Sequence, residues 1–207
     1  MYFRAKDGKA AGNKQPHSKY SNYMLSKLST FLLRLWGWTI KGRYPTELPK
    51  VMLVVIPHTS NWDFPVGILT RSAIRADIKF IGKDSLFRPP FGWLFKWLGG
   101  YPVNRDKSSN FVQTMVDIYN KEPYFHTVIS PEGTRSRVDK LKTGFYYIAK
   151  GGHAAIVLCK FDWGHREVVF GEPFYPTDDK EADFRRIDEY FKGVQGRNPE
   201  KGYLYKS

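Results

Sequence analysis

Val51-Met-Leu-Val-Val-Ile-Pro-His-Thr-Ser-Asn-Trp-Asp63 is the stretch whose reading decides the fold. Its first six residues are apolar and rich in β-branched side chains, the pattern of a strand buried on both faces. Pro57 has no N–H to give to a sheet ladder, so the strand ends at Ile56. His58 then emerges at the strand's carboxyl end. Thr59, Ser60 and Asn61 read as helix-start residues, and Asp63 lies near enough in sequence to reach back to the imidazole. The same spacing also fits a plain alternative, in which Asp63 caps the helix and His58 fills a strand end.

A second polar cluster, Ser130-Pro-Glu-Gly-Thr-Arg-Ser136, follows the strand-like run Tyr124 to Ile129. Two such clusters, each at the carboxyl end of a strand, are how open α/β sheets build sites. Around them the chain alternates strand and helix. A helix is expected from about Trp62 to Ala76 and a strand from Asp77 to Ile81. Tyr101 to Arg105 is a short extended piece that delivers Arg105. Ser108 to Asn120 is an amphipathic helix capped by Ser108 or Ser109. Thr143 to Lys150 is helical and stops at Gly151-Gly152. Ala154 to Phe161 and Val168 to Phe170 are strands, and Asp179 to Lys192 is a charged surface helix. The expected fold is therefore a single α/β domain, with an amphipathic helix at the amino-terminal side.

At 207 residues the chain suits one domain with a sizeable core. One cysteine excludes a disulfide framework, and Cys159, within an apolar run, reads as a small buried hydrophobe. Of the net charge of +13, residues 1–50 carry +8, ten basic against two acidic. Such a segment suits an anionic partner: a membrane surface, nucleic acid or a phosphorylated substrate. Residues 1–22 read as a basic mobile arm without a secretory h-region. From 23 to 41, Met24, Leu28, Phe31, Leu32, Leu35 and Trp36 recur at helical steps, with Ser26, Lys27, Thr30 and Arg34 on another face. Two placements fit this helix: in a membrane interface, with Trp36 and Trp38 at headgroup depth, or packed on the domain core. The segment from Gly82 to Gly100, rich in aromatics, lines an apolar groove or packs on the core. Residues 50–195 are the expected catalytic domain, and 196–207 a frayed polar tail.

Histidine is the side chain best suited to general-base work near neutral pH, and His58 is the candidate, with Asp63 fixing its tautomer and stabilising the imidazolium. No activated Ser or Cys accompanies the pair, so the chemistry expected is direct attack by a substrate hydroxyl on an activated acyl group. The N–H groups at the start of the next helix are candidates for oxyanion stabilisation. Arg105 and Arg135 offer guanidinium forks for phosphate, Gly133 a close backbone approach, Thr134 a hydroxyl, and Glu132 a partner for a hydroxyl or an arginine. No metal site is expected, because no His or Cys stands at ligand spacing from His58. His126, His153 and His165 read as structural. No P-loop or dinucleotide fingerprint is present.

Taken in order, these stretches resemble the glycerophospholipid acyltransferase family, typified by 1-acylglycerol-3-phosphate acyltransferase. His58-Thr-Ser-Asn-Trp-Asp63 resembles its His-x4-Asp block. Gly82-Lys83 with Leu86-Phe87, and Gly99-Gly-Tyr-Pro-Val-Asn-Arg105, are similar to its second block. Pro131-Glu-Gly-Thr-Arg135 is similar to the third, and Ala155-Ile-Val157 stands in the place of the fourth. The resemblance runs over residues 50–172. It implies acyl transfer from acyl-CoA or acyl-carrier protein to a lysolipid hydroxyl, with no further cofactor. His58 would be the base, Asp63 its partner, and Arg105, Glu132, Gly133, Thr134 and Arg135 the acceptor's binding residues. It also implies a mixed β-sheet flanked by helices, in a peripheral or monotopic protein on the cytoplasmic face of an anionic membrane. Pro57 stands where the family usually has Asn, Ser130 where Phe is common, and the fourth block lacks a common proline. The acceptor therefore stays open between lysophosphatidic acid and another lysolipid, such as an amino-acid-containing one. Two further classes compete with the enzyme: a non-catalytic, basic lipid-binding protein and a nucleic-acid binder. The ordered set of blocks ranks the enzyme first, with nucleic acid not expected as a partner.

Overall fold

The computed structural model describes residues 23–103 and 111–203. The expected basic arm (1–22), Arg105 and the proposed caps Ser108 and Ser109 lie outside these. The described chain forms one α/β domain around a seven-stranded mixed sheet. The strands are β1 (Thr39–Lys41), β2 (Lys50–Ile56), β3 (Ile78–Lys83), β4 (Gly100–Val103), β5 (Phe125–Ile129), β6 (Ala155–Asp162) and β7 (Glu167–Phe170). Their order across the sheet is β1-β7-β6-β2-β5-β3-β4. All neighbours are parallel except β6 and β7. Six helices cover it: α1 (Tyr23–Leu35), α2 (Asp63–Ala73), α3 (Gly92–Trp97), α4 (Phe111–Lys121), α5 (Gly144–Gly151) and α6 (Lys180–Phe191).

Alternation along β2 divides the core in two, because successive side chains in a strand point to opposite faces. Met52, Val54 and Ile56 pack with Met115 of α4, Ile148 of α5 and Phe191 of α6. Val51, Leu53 and Val55 pack on the other side with Val66 of α2 and Leu33 of α1. Cys159 is fully buried in this second layer, as its apolar run requires, and burial pushes its thiol pKa well up.

Two boundaries differ from expectation. The amino-terminal helix ends at Leu35, not near residue 41, because Gly37 takes φ +82°. Trp38 N–H then donates to Leu33 O (2.8 Å) and Gly37 N–H to Arg34 O (2.9 Å), the paired bonds of a Schellman stop. Trp38 consequently turns into the core, at 1% exposure, and Thr39–Lys41 joins the sheet as an edge strand. The α/β domain therefore begins before residue 50, and Trp38 is not free to sit at headgroup depth. The helix is also turned inside out for a soluble protein. Ser26, Ser29 and Leu33 face inward, while Met24, Leu28, Phe31 and Leu35 are exposed. Ser26 Oγ donates to Ala73 O (2.8 Å), and Ser29 Oγ to Ser72 Oγ (2.8 Å), so small side chains bring α1 close against α2.

The second difference is at the other end. Residues 196–203 are not frayed: Gly196 and Tyr203 are buried, and Tyr203 joins the core layer with Phe191.

His126 on β5 is structural, as read. It is buried, its Nε2 faces Leu48 O (2.7 Å) and its Nδ1 faces Tyr44 Oη (2.8 Å), which suits a neutral ring donating from Nε2. Burial pulls its pKa down to about 4. The unfolded chain, with a histidine near 6.5, binds the proton first as pH falls. Stability is therefore full above about pH 6.5 and falls as pH drops toward 4, by about 3 kcal/mol from this residue. Urea denaturation at pH 7 and pH 5 should show about 2 kcal/mol of that loss in the wild type, and His126→Gln should reduce it.

Candidate active site

Register puts three polar segments at one edge. β2 pairs with β5 (Val54 beside Ile129) and with β6 (Ile56 beside Lys160), all three parallel. Their carboxyl ends point the same way, so His58, Glu132 and the turn after Asp162 emerge together.

Asp63 opens α2 and is almost wholly buried; His58 is partly exposed. Asp63 Oδ2 lies 2.9 Å from His58 Nδ1 and also accepts the Ser60 N–H (3.0 Å). With Nδ1 held by a carboxylate, Nε2 is left as the acceptor nitrogen. Glu132 is buried, and its Oε2 accepts the His58 backbone N–H (2.6 Å) and the Ser130 hydroxyl (3.1 Å). Burial, opposed by these bonds, raises the Glu132 pKa. The second polar cluster thus touches the first through the backbone of His58 itself.

Gly133, Thr134 and Arg135 are exposed at the rim. Gly133 takes φ +66°, and a Cβ there would lie 2.6 Å from Lys142 Nζ, so the residue both turns the chain and makes room for an ammonium. Thr134 Oγ1 accepts the Ser136 N–H (3.2 Å). A cavity of about 220 Å³ runs between α2 and the sheet. His58, Asp63 and Arg135 line it together with apolar residues that include Leu53, Phe64, Ile68 and Phe80. Among the described residues, no cluster of three or more His, Cys, Asp or Glu could hold a metal ion.

The helix start serves differently from expectation. The N–H groups of Ser60, Trp62, Asp63 and Phe64 already donate within the turn, so these four are not available to an oxyanion. Thr59 caps nothing: its Oγ1 accepts the Asn198 N–H (3.1 Å) and its carbonyl accepts from Asn198 Nδ2 (2.9 Å). Residues 195–198 therefore strap the loop that carries His58. Trp163, just past β6, was also missed; its indole Nε1 donates to Asp63 Oδ1 at 2.7 Å. The signal was its place immediately after β6, the strand that neighbours β2.

A histidine held by a buried carboxylate, opening on an apolar cavity, is an arrangement able to take a proton from a bound hydroxyl. Residues 24–165 match the family model described as acyltransferase, and the chain belongs to that family. Its structure is similar to the crystal structure of the 1-acyl-sn-glycerophosphate (LPA) acyltransferase PlsC from Thermotoga maritima. The TM-score is 0.55 and the identity 18%, over 82% of this chain and 76% of that one, a likeness of fold. A search among curated proteins finds no match.

The strap can be tested at Gly196, where a Cβ would lie 2.6 Å from Thr59 Oγ1 and 3.2 Å from Pro57 Cγ. Gly196→Ala should cost about 1–3 kcal/mol through this overpacking, lowering the melting temperature by several degrees in a thermal denaturation scan.

Proposed function

We propose that the protein transfers a fatty acyl group from an acyl thioester to the hydroxyl of a lysophospholipid such as 1-acylglycerol-3-phosphate, as a step of phospholipid biosynthesis. The observation that carries this is the His58–Asp63 bond beside a cavity whose lining changes from Arg135 to apolar side chains. Nε2 takes the acceptor's hydroxyl proton while the oxygen attacks the thioester carbonyl. The tetrahedral intermediate collapses with cleavage of the C–S bond, and the imidazolium returns the proton to the leaving thiolate. Asp63 stabilises that imidazolium throughout. Acyl-CoA or acyl-carrier protein is the donor, and no other cofactor takes part.

Gly133, Thr134 and Arg135, with Arg105, bind the acceptor's anionic headgroup; Glu132 contributes by holding the His58 backbone at that group's edge. The apolar part of the cavity takes a fatty chain, whose burial is favourable by about 0.8 kcal/mol per CH₂.

The reaction takes place at an anionic membrane surface, on the cytoplasmic face where anionic lipid is concentrated. The support is α1: an outward apolar face bearing Met24, Leu28, Phe31 and Leu35, with Lys27 and Arg34 exposed beside it. Among the described residues no helix is long and apolar enough to cross a membrane.

Thiol release should be measured on the full chain with acyl-CoA and acyl-carrier protein, against lysophosphatidic acid and amino-acid-containing lysolipids. One donor–acceptor pair should turn over, and His58→Ala or Asp63→Asn should reduce the rate by about 10²–10⁴-fold. Absence of turnover with every pair would leave a lipid-binding protein. For the membrane, Leu28→Glu with Phe31→Glu, both on the exposed face, should weaken co-sedimentation with anionic vesicles at least ~10-fold. Deleting the whole helix is the wrong test, since Leu33 is core.

A further inference from the structure

Asp63 has two oxygens, and the dyad uses one. Oδ2 meets His58 Nδ1 and Ser60 N–H; Oδ1 receives the indole N–H of Trp163 at 2.7 Å. We propose that Trp163 is a positioning residue for the reaction, holding the Asp63 carboxylate in the plane that aims His58, and this rests on the function proposed above.

The bond is charge-assisted and the carboxylate is almost wholly out of solvent, so the donor has no ready substitute in water. It gives the second oxygen of a buried carboxylate the partner that burial demands. It also removes a rotation. With both oxygens engaged, the carboxylate cannot turn about Cβ–Cγ without breaking a bond on each side.

The ring itself is fixed from several directions. The Trp163 backbone N–H donates to Gln195 O (2.8 Å) in the strap. Trp38, in the core, meets its ring edge-to-face at 4.8 Å and 88°. Trp36, just past α1, meets it at 6.0 Å and 82°. The Arg197 guanidinium lies 4.8 Å from the ring centroid on the exposed side. A tryptophan that served only to fill space would need the packing but not the alignment of its N–H with the spare oxygen of the catalytic carboxylate.

Two substitutions separate donor from bulk. Trp163→Phe keeps an aromatic ring and removes the N–H. Trp163→His loses the benzo ring, but its Nε2 falls where the indole Nε1 was. Steady-state thiol release with the full chain should show kcat reduced ~10–100-fold in Trp163→Phe, with KM nearly unchanged, and most of that loss restored in Trp163→His. In parallel, proton NMR of histidine-labelled protein reads the His58 Nδ1–H signal without any substrate. It should be downfield in the wild type, weakened in Trp163→Phe and kept in Trp163→His. Wild-type kcat and an unchanged signal in Trp163→Phe would overturn the proposal, as would Trp163→His proving the more damaged of the two. Should the wild type itself release no thiol, the function proposed above fails. The NMR comparison still decides whether Trp163 holds the dyad.

Discussion

Parallel pairing of β5, β2 and β6 is the constraint on which the site depends. Parallel neighbours send their carboxyl ends to one edge, so residues about 75 and 100 positions apart along the chain meet after their strands stop. His58, Glu132 and Trp163 each leave a different strand and converge on one short loop. No local propensity would bring them together; the hydrogen-bond ladder does. Pro57 contributes by ending β2 before the histidine, which frees the His58 N–H to be taken by Glu132 rather than by a neighbouring strand.

Around His58 the chain spends most of its polar groups on immobility. Its ring is held by Asp63, its backbone by Glu132, and the next residue by Asn198. Preorganisation of this kind lowers the reorganisation needed when charge develops on the imidazole. The groups left over, Gly133, Thr134 and Arg135, are the exposed ones, so the open rim and the fixed histidine are supplied by different segments.

What was legible in the sequence was what is local or periodic. The apolar run ending in Pro57 showed β2, and five-residue spacing was enough to suspect His58 with Asp63. The ordered polar clusters carried the family. The end of α1 was misread because apolar residues continue through Trp36 and Trp38, and the lone Gly37 between them outweighs that run by taking a left-handed conformation. Ser26 read as part of the polar face with Lys27, Thr30 and Arg34, yet with Ser29 it lets α1 approach α2. The role of residues 195–198 was not readable at all. It consists of bonds to Thr59, 139 positions away, and nothing in Asn198 or Gly196 announces such a partner.

That strap ties chemistry to the completeness of the fold. The loop bearing His58 is translated early, but the asparagine that clasps it arrives far later, after every strand of the sheet. Contacts this distant in sequence close late, since loop-closure entropy must be met before they gain anything. A chain with most of its sheet assembled but its last segment loose would carry the base in an unclasped loop. On the function proposed above, competence at the site would be deferred until the architecture is finished.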